Sequence, residues 1–164
     1  MPKNAAYYSS PIGMLKIKAD EDAITEVYFV DEKISPPNFK ITKTTNPQIV
    51  AAAKQLDEYF HKERVKFDLR LSPNGTEFQK EVWGKLNDIK FGKTSSYLAI
   101  AKQLGDENKN RAVGMANGKN PIAIIIPCHR VIGADGSLVG YAGGLERKKW
   151  LLQHEAEFAQ GELF

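Results

Sequence analysis

The sequence is poor in the residues that form disulfides and hold metal ions. Its 164 residues contain one cysteine and three histidines. A single cysteine excludes an internal disulfide framework, and a tetrahedral structural zinc site needs several soft ligands. The histidines, His61, His129 and His154, lie far apart in the sequence. We therefore expect no metal site, and we interpret His61 as a side chain at the end of a helix.

Long apolar runs are also missing. The longest, Ile122 to Ile126, is far shorter than the roughly 20 residues that cross a bilayer as a helix. The segment Met1 to Asn4 has none of the charged, apolar and small-residue pattern of a secretory signal. These features predict a soluble protein of a reducing compartment, most simply the cytoplasm.

Acidic residues are scarce in one part of the chain. The net charge of +3 says little alone, but eight cations face three anions between Lys85 and Arg130. The cations are Lys85, Lys90, Lys93, Lys102, Lys109, Arg111, Lys119 and Arg130. Such a concentration favours a surface that meets a polyanion. A lysine-rich face in contact with solvent remains the alternative.

The first part of the chain has the pattern of a small α/β domain. Residues 5–30 contain β-branched and aromatic runs separated by turn formers, which predict an antiparallel sheet. Asn46 and Pro47 predict a helix start, and residues 65–71 alternate as a returning strand would. We expect residues 31–46 to be mostly irregular. The turn formers from Ser72 to Gly75 mark a domain boundary.

Helical periodicity begins at Thr76. Thr76 and Gln79 form a capping-box pattern, and the apolar residues after them predict a helix to about Asp88. A second helix is predicted from Tyr97 to Leu104, and a third from about 108 to 117. Two short helices joined at a glycine are a helix-turn-helix candidate; an ordinary helical hairpin is the alternative.

Cys128 lies in the sequence IAIIIPCHRV, next to His129 and Arg130. The thiolate is the reactive form of cysteine, and imidazole or cationic neighbours favour it. A lone cysteine is also commonly a buried small hydrophobe. The pattern thus makes Cys128 a candidate nucleophile.

Several blocks together resemble the O6-alkylguanine-DNA alkyltransferases, also called methylated-DNA-protein-cysteine methyltransferases. The similar blocks are GTEFQKEVW, FGKTSSY, NRAVGMANGKNP, PCHRV and GYAGGLERKKWLLQHE, and they span residues 75–155. The resemblance implies an α+β chain with a ribonuclease-H-like sheet and helix in residues 1–73. It implies an all-α, winged-helix-like domain with the helix-turn-helix in residues 74–155, and a tail at 156–164.

The implied activity is DNA repair by direct transfer of an alkyl group to Cys128. The substrate would be O6-alkylguanine, and also O4-alkylthymine, in double-stranded DNA, with the damaged nucleotide flipped out. The thioether product is stable, so each molecule acts once and needs no cofactor. We expect a monomer without membrane contact; cooperative assembly on DNA is left open.

The resemblance also implies roles for individual residues around the sulfur. His129 takes the thiol proton through water, Glu155 orients the imidazole, and Tyr97 donates a proton to the leaving guanine and helps to rotate the adjacent phosphate. Asn120 ties a turn to the active-site backbone. The residues implied to form the guanine pocket are Val131, Tyr141 and Ala142, where Ala142 replaces a serine of some relatives.

For the DNA contact, the resemblance implies a helix in the minor groove. Arg111 matches an arginine finger that fills the space of the flipped nucleotide. Ala112, Gly114 and Met115 lie on the same helix, whose small residues would let the backbone approach the groove. Close helix packing is an equally good explanation of the small residues.

Two other functions are compatible with parts of the sequence. A non-catalytic binder of alkylated bases shares the scaffold, but it replaces the cysteine, so Cys128 argues against it. A sequence-specific regulator would present a series of base-reading side chains on its second helix, and these are not evident here.

Overall fold

The first part of the chain forms a three-stranded sheet, in which the second strand alternates apolar and basic residues. Strands β1 (Ala5–Ser10), β2 (Gly13–Ala19) and β3 (Ile24–Val30) pair antiparallel in the order β1-β2-β3. Leu15 and Ile17 are fully buried, while their neighbours on the opposite face are half-buried. The predicted antiparallel sheet is confirmed.

This architecture comes from a computed structural model that describes residues 4–31 and 41–161. It contains two compact units, one of residues up to Asn74 together with Pro121–Ala123, and one of Gly75–Asn120 with the chain from Ile124 onward. Of the region 31–46 that was expected to be irregular, residues 32–40 lie outside the described part, as do 162–164 of the tail. None of the helices in the described part is long and apolar enough to cross a membrane.

Helix α1 (Pro47–Phe60) begins where the sequence predicts. The side chain of Asn46 accepts hydrogen bonds from the backbone N–H groups of Gln48 and Ile49, at 2.8 and 3.3 Å. Such a cap satisfies donors that the first helical turn leaves unpaired. The buried stripe of α1 consists of Ile49, Ala52, Ala53, Leu56, Tyr59 and Phe60.

The predicted strand at residues 65–71 does not form. Only Leu71 bridges to Ile24, in parallel. Upstream, the side-chain amide of Gln55 binds both the carbonyl and the N–H of Asp68, at 3.0 and 2.8 Å. Because the Gln55 side chain occupies the backbone groups of Asp68, they cannot pair with a neighbouring strand. The alternating pattern was therefore wrong as a strand signal.

The apolar run 122–126 is buried but is not a strand. Pro121 and Ala123 exchange backbone hydrogen bonds with Val27, at 2.9 and 2.8 Å, and the chain then turns. Ile124 has a φ of 70°, a left-handed conformation that is unfavourable for a β-branched residue. The turn ends in the short 3-10 helix Cys128–Arg130.

The second unit is helical. It contains α2 (Glu77–Asn87), α3 (Tyr97–Gln103), α4 (Asn110–Gly118) and α5 (Leu145–Gly161), with a 3-10 turn at Glu107–Lys109 before α4. The capping box of α2 is confirmed, with Thr76 N–H donating to Gln79 at 2.9 Å and Gln79 N–H donating to Thr76 at 3.1 Å. Helices α3 and α4 form the helix-turn-helix, and α5 continues past Glu155. The predicted α+β class is thus confirmed.

Candidate active site

Cys128 lies at the start of the 3-10 helix and is 5% exposed. Its N–H donates to the Ile126 carbonyl at 2.8 Å. The same carbonyl accepts a 2.8 Å hydrogen bond from Nδ2 of Asn120, whose side chain also hydrogen-bonds the Cys128 sulfur. One amide thus holds both the turn and the thiol.

The surroundings of Cys128 act on its ionisation in opposite directions. Burial raises the pKa of the thiol, whereas the Asn120 hydrogen bond and the positive charge of Lys148 lower it; burial has the larger effect. The resting form near neutral pH is therefore the thiol. A base must remove its proton before the sulfur can act as a strong nucleophile.

His129, the residue after Cys128, has a buried imidazole held by Glu155. Its Nε2 lies 2.6 Å from Oε2 of Glu155, and both side chains are at most 1% exposed. A carboxylate only accepts hydrogen bonds, so the shared hydrogen is on Nε2. The other ring nitrogen, Nδ1, is buried and has no hydrogen-bond partner among the described residues. In the neutral imidazole this atom carries the lone pair that can take a proton.

Arg130 holds Glu155 from the other side. Its Nε and Nη2 donate to the two carboxylate oxygens at 2.8 and 3.2 Å, and Nη1 donates to the Ile89 carbonyl at 2.7 Å. The guanidinium also lies 5.6 Å from the ring centre of Phe91. Burial by itself would raise the pKa of Glu155, but His129 and Arg130 together hold it well below the usual range. Glu155 is therefore a fixed anion.

Sequence reasoning missed the position of both cations. Arg130 was noted only as a charged neighbour of Cys128, yet its guanidinium binds Glu155. Lys148 of α5 is 0% exposed, and its Nζ donates to the Val139 carbonyl at 2.8 Å. Lys148 lies seven residues before the buried Glu155 in α5, so the two residues share one face of the helix. This spacing was the sequence signal that the lysine faces inward.

Tyr97 begins α3 and is half-buried. Ser96 caps this helix by accepting from Ala99 N–H at 3.0 Å. The Tyr97 ring lies against α4, because a Cβ atom added to Gly114 would be 3.3 Å from two ring carbons. The small size of Gly114 therefore makes room for Tyr97, which favours the close-packing explanation at this position.

The pocket residues fall into two groups. The hydroxyl of Tyr141 is buried without a hydrogen-bond partner in the described part of the chain, and burial followed by the charge of Cys128 raises the pKa of this phenol well above its usual range. Val131 is fully buried and bridges to Ser95. Ala142 is exposed. The structure thus brings Tyr141 near the sulfur and leaves Ala142 at the surface.

One face of α4 is open to solvent. It carries Arg111, Ala112 and Met115, with the exposed Lys119 directly after the helix end, and Met115 is 66% exposed. The opposite face buries Val113, Ala116 and Asn117. Two cations and an exposed methionine in this region suit contact with a nucleic acid.

No metal centre is found in residues 4–31 and 41–161, where no cluster of three or more His, Cys, Asp or Glu side chains could hold an ion. The histidines outside the site have other contacts. Nδ1 of His61 lies 2.7 Å from the Asp57 carbonyl at the end of α1. The His154 ring stacks on Trp150 with ring centres 4.8 Å apart.

Comparison with known proteins agrees with this geometry. Residues 5–73 match the ribonuclease-like domain of 6-O-methylguanine DNA methyltransferase, and residues 77–157 match its DNA binding domain. A methylated-DNA--protein-cysteine methyltransferase of Methanosarcina acetivorans is 46% identical over 153 residues, which cover 92% of this chain and 96% of the relative. One from Mycolicibacterium paratuberculosis is 46% identical over 155 residues, covering 94% and 93%.

Solved structures are similar as well. The crystal structure of Mycobacterium tuberculosis O6-methylguanine methyltransferase has 42% identity and a TM-score of 0.80, covering 92% of this chain and 91% of that one. The structure of M. tuberculosis OGT in complex with DNA has 41% identity and a TM-score of 0.82, covering 93% and 92%.

Proposed function

This chain belongs to the 6-O-methylguanine DNA methyltransferase family, and from this premise we propose that it repairs DNA by moving an alkyl group onto its own Cys128. The substrate is O6-alkylguanine in double-stranded DNA. The carbon bound to O6 is the electrophile and the purine is the leaving group, so the reaction needs no cofactor.

The observation that carries the proposal is the buried hydrogen bond between Glu155 and His129, the residue that follows Cys128. Glu155 binds the Nε2 side of the imidazole at 2.6 Å, which leaves Nδ1 as the basic atom. Cys128 itself is 5% exposed and stays protonated until a base acts. The arrangement follows the logic of nucleophile, base and orienting carboxylate.

In the proposed reaction, Nδ1 of His129 takes the thiol proton through one water molecule. The sulfur attacks the alkyl carbon, the new S–C bond forms, and the bond from that carbon to O6 breaks. Glu155 stabilises the imidazolium, since a fixed anion beside a developing cation costs no reorganisation. The protein ends as a thioether and cannot act again.

The purine leaves with the electron pair of the broken bond. Tyr97 donates its phenolic proton to N3 of guanine as that negative charge develops, and its hydroxyl later regains a proton from solvent. The same residue is proposed to help rotate the phosphate next to the flipped nucleotide. Tyr141, Val131 and Ala142 are proposed to line the guanine pocket, with the backbone N–H of Ala142 toward O6.

DNA is proposed to bind the exposed face of α4. Arg111 enters the space left by the flipped nucleotide, and Ala112 and Met115 lie along the minor groove. Gly114 contributes indirectly, through the room it leaves for the Tyr97 ring. Flipping exposes the alkyl group to a buried sulfur, at a cost of about a few kcal/mol.

We also expect O4-alkylthymine to be a second substrate, the protein to act as a monomer, and the site of action to be the cytoplasm. The predicted domain limits are 1–73 and 74–155. Cooperative binding along DNA remains an open alternative to independent binding.

Transfer stoichiometry tests the function. Duplex DNA with a tritium-labelled O6-methyl group, given in excess over the protein, should label the protein up to one methyl per molecule and then stop. Cys128→Ser should acquire no label. Continued turnover after one equivalent, or equal labelling of the serine variant, would overturn the proposal.

A further inference from the structure

We propose that Phe91 is a positioning residue for alkyl transfer, because its ring packs against the Arg130 guanidinium that holds the Glu155 carboxylate. That carboxylate in turn holds the imidazole of His129, the proposed base. This role rests on the proposed function and deepens it, since it concerns how the base is kept in place. Phe91 opens the block FGKTSSY, in which only the tyrosine takes part in the proposed reaction.

Hydrogen bonds fix the Arg130 guanidinium in one orientation. Its Nε and Nη2 donate to the two carboxylate oxygens of Glu155 at 2.8 and 3.2 Å, and its Nη1 donates to the Ile89 carbonyl at 2.7 Å. The N–H groups of a guanidinium form a rigid, planar fork. Contacts on both sides of the fork therefore determine where the carboxylate is held.

The guanidinium also lies over the ring of Phe91. Its Cζ is 5.6 Å from the ring centre, which is within the roughly 6 Å over which a cation is attracted to an aromatic ring. Arg130 is 7% exposed, and such an attraction is larger where water is excluded. The ring thus stabilises the cation without competing for its hydrogen bonds.

Phe91 is itself held by α5. Its ring meets the ring of Phe158 edge-on, with ring centres 5.3 Å apart and planes at 76°. Phe158 follows Glu155 by three residues, a spacing that places two side chains on one side of a helix. Gly92 has a φ of 77° and lies so close to α5 that an added Cβ atom would be 2.9 Å from Cβ of Ala159. The loop after α2 is therefore packed on α5 beside the carboxylate.

One short loop thus supplies two contacts to the same cation. Ile89 provides its carbonyl, and two residues later Phe91 provides its ring. The attraction between two charges weakens as the local dielectric constant rises. Loss of the ring should therefore admit water to Arg130 and weaken its hold on Glu155. The His129 imidazole would then be free to turn, and Nδ1 would no longer be presented in a fixed direction.

Single-turnover methyl transfer from duplex DNA that contains O6-methylguanine tests the proposal. Phe91→Leu keeps an apolar side chain but removes the aromatic ring, and it should lower the maximal rate by about fivefold, the order expected when one cation–π contact is lost. The DNA concentration that gives half of the maximal rate should be unchanged, because the ring packs on α5 whereas DNA is proposed to bind α4. A maximal rate for Phe91→Leu equal to that of the wild type would overturn the proposal.

Phe91→Tyr tests whether the aromatic ring itself is required. This variant keeps a ring beside the guanidinium, and its maximal rate should stay within about twofold of the wild type. A loss as large as that of Phe91→Leu would mean that the ring is not what holds Arg130.

Phe158→Leu is the matched control for loss of packing. It removes the same ring–ring contact but leaves Phe91 beside Arg130. It should lower the melting temperature, as Phe91→Leu does, while methyl transfer stays within about twofold of the wild type. If Phe158→Leu and Phe91→Leu slow transfer equally, Phe91 acts through packing alone and the proposal fails.

A spectroscopic readout reports on the imidazole directly. In protein with 15N-labelled histidine, the wild type should show a hydrogen on Nε2 of His129 that exchanges slowly with solvent, because its hydrogen bond to Glu155 is 2.6 Å long and buried. Exchange should be faster in Phe91→Leu and unchanged in Phe158→Leu. An unaltered His129 signal in Phe91→Leu would contradict the proposal even if that variant were less stable.

Methyl transfer by the wild type separates this role from the proposed function. If the wild type acquires no methyl group, the proposed function fails. If it acquires one, and Phe91→Leu matches Phe158→Leu in both transfer rate and hydrogen exchange, only the role of Phe91 fails.

Discussion

At the scale of single residues, the site contrasts a neutral nucleophile with a permanently charged carboxylate. Both Cys128 and Glu155 are buried. Burial dominates at the sulfur and raises its pKa, whereas His129 and Arg130 outweigh burial at Glu155 and lower its pKa. At neutral pH the sulfur is therefore a thiol, while Glu155 stays ionised and holds the imidazole proposed to accept the thiol proton.

Lys148 should tune the sulfur through its charge. We expect Lys148→Met to raise the pKa of Cys128, since the positive charge lowers it in the wild type. In the variant, the rate of iodoacetamide alkylation should therefore begin to rise at a higher pH than in the wild type. Lys149→Met is the matched control, because Lys149 is the adjacent lysine of α5 and is exposed. An unshifted profile for Lys148→Met would contradict this account.

Glu155 should make the stability of the fold depend on acid. Its folded pKa lies below the value of about 4.3 that is typical of an unfolded chain. The stabilisation is therefore complete above that value and is lost as the pH falls through the folded pKa. Urea unfolding should show a free energy that falls from about pH 5 downward, with a shallower fall in Glu155→Gln.

A more exposed ion pair serves as the control for how much Glu155 contributes to the free energy of unfolding. Glu155→Gln leaves the buried Arg130 without a compensating charge, which should cost roughly 3–5 kcal/mol at neutral pH. Glu58→Gln removes a carboxylate 3.0 Å from Arg64 in a pair that is 28% exposed on each side. That variant should lose at most about 1 kcal/mol. Similar losses in the free energy of unfolding for the two variants would show that the buried Glu155 network contributes no more than an exposed ion pair.

At the scale of elements, α4 is used on both sides. Its exposed side carries Arg111 and Met115, and its other side carries Gly114, which leaves room for the Tyr97 ring. The helix proposed to bind DNA therefore also packs against the residue proposed to protonate the leaving base.

Arg111 lies on the exposed side of α4, which is proposed to bind DNA. Arg111→Ala should weaken repair of duplex DNA more than transfer from the free modified base, because only the duplex has a vacated stack to fill. Single-turnover rates on the two substrates measure the difference. Lys119, an exposed cation directly after the end of α4, is the control: Lys119→Ala should affect duplex binding through phosphate charge only. Equal losses on both substrates would argue against the finger role.

Helices and strands differed in how well the sequence predicted them. Helix starts at Asn46, Thr76 and Ser96 were correct, because a cap is a local arrangement of a side chain and nearby N–H groups. The strand expected at 65–71 was wrong. Alternation reports which side chains are buried, but a ladder needs free backbone groups, and those of Asp68 bind the Gln55 side chain instead.

At the scale of the whole molecule, the side chains around the sulfur come from one unit. Tyr97, Asn120, His129, Lys148 and Glu155 all belong to the unit formed by Gly75–Asn120 and the chain from Ile124 onward. The family resemblance led to four of these five residues. The ion pair of Arg130 with Glu155 could not be predicted from sequence, since it depends on a contact between distant segments that no local pattern records.

The central claim is that the alkyl group ends on the sulfur of Cys128 and leaves an intact guanine behind. The most direct test is mass spectrometry of both products after the protein is mixed with O6-methylguanine duplex DNA. We predict one added methyl group on the peptide that contains Cys128, together with unmodified guanine at the former lesion. A methyl group on any other residue, or loss of the lesion without methylation of Cys128, would contradict the account.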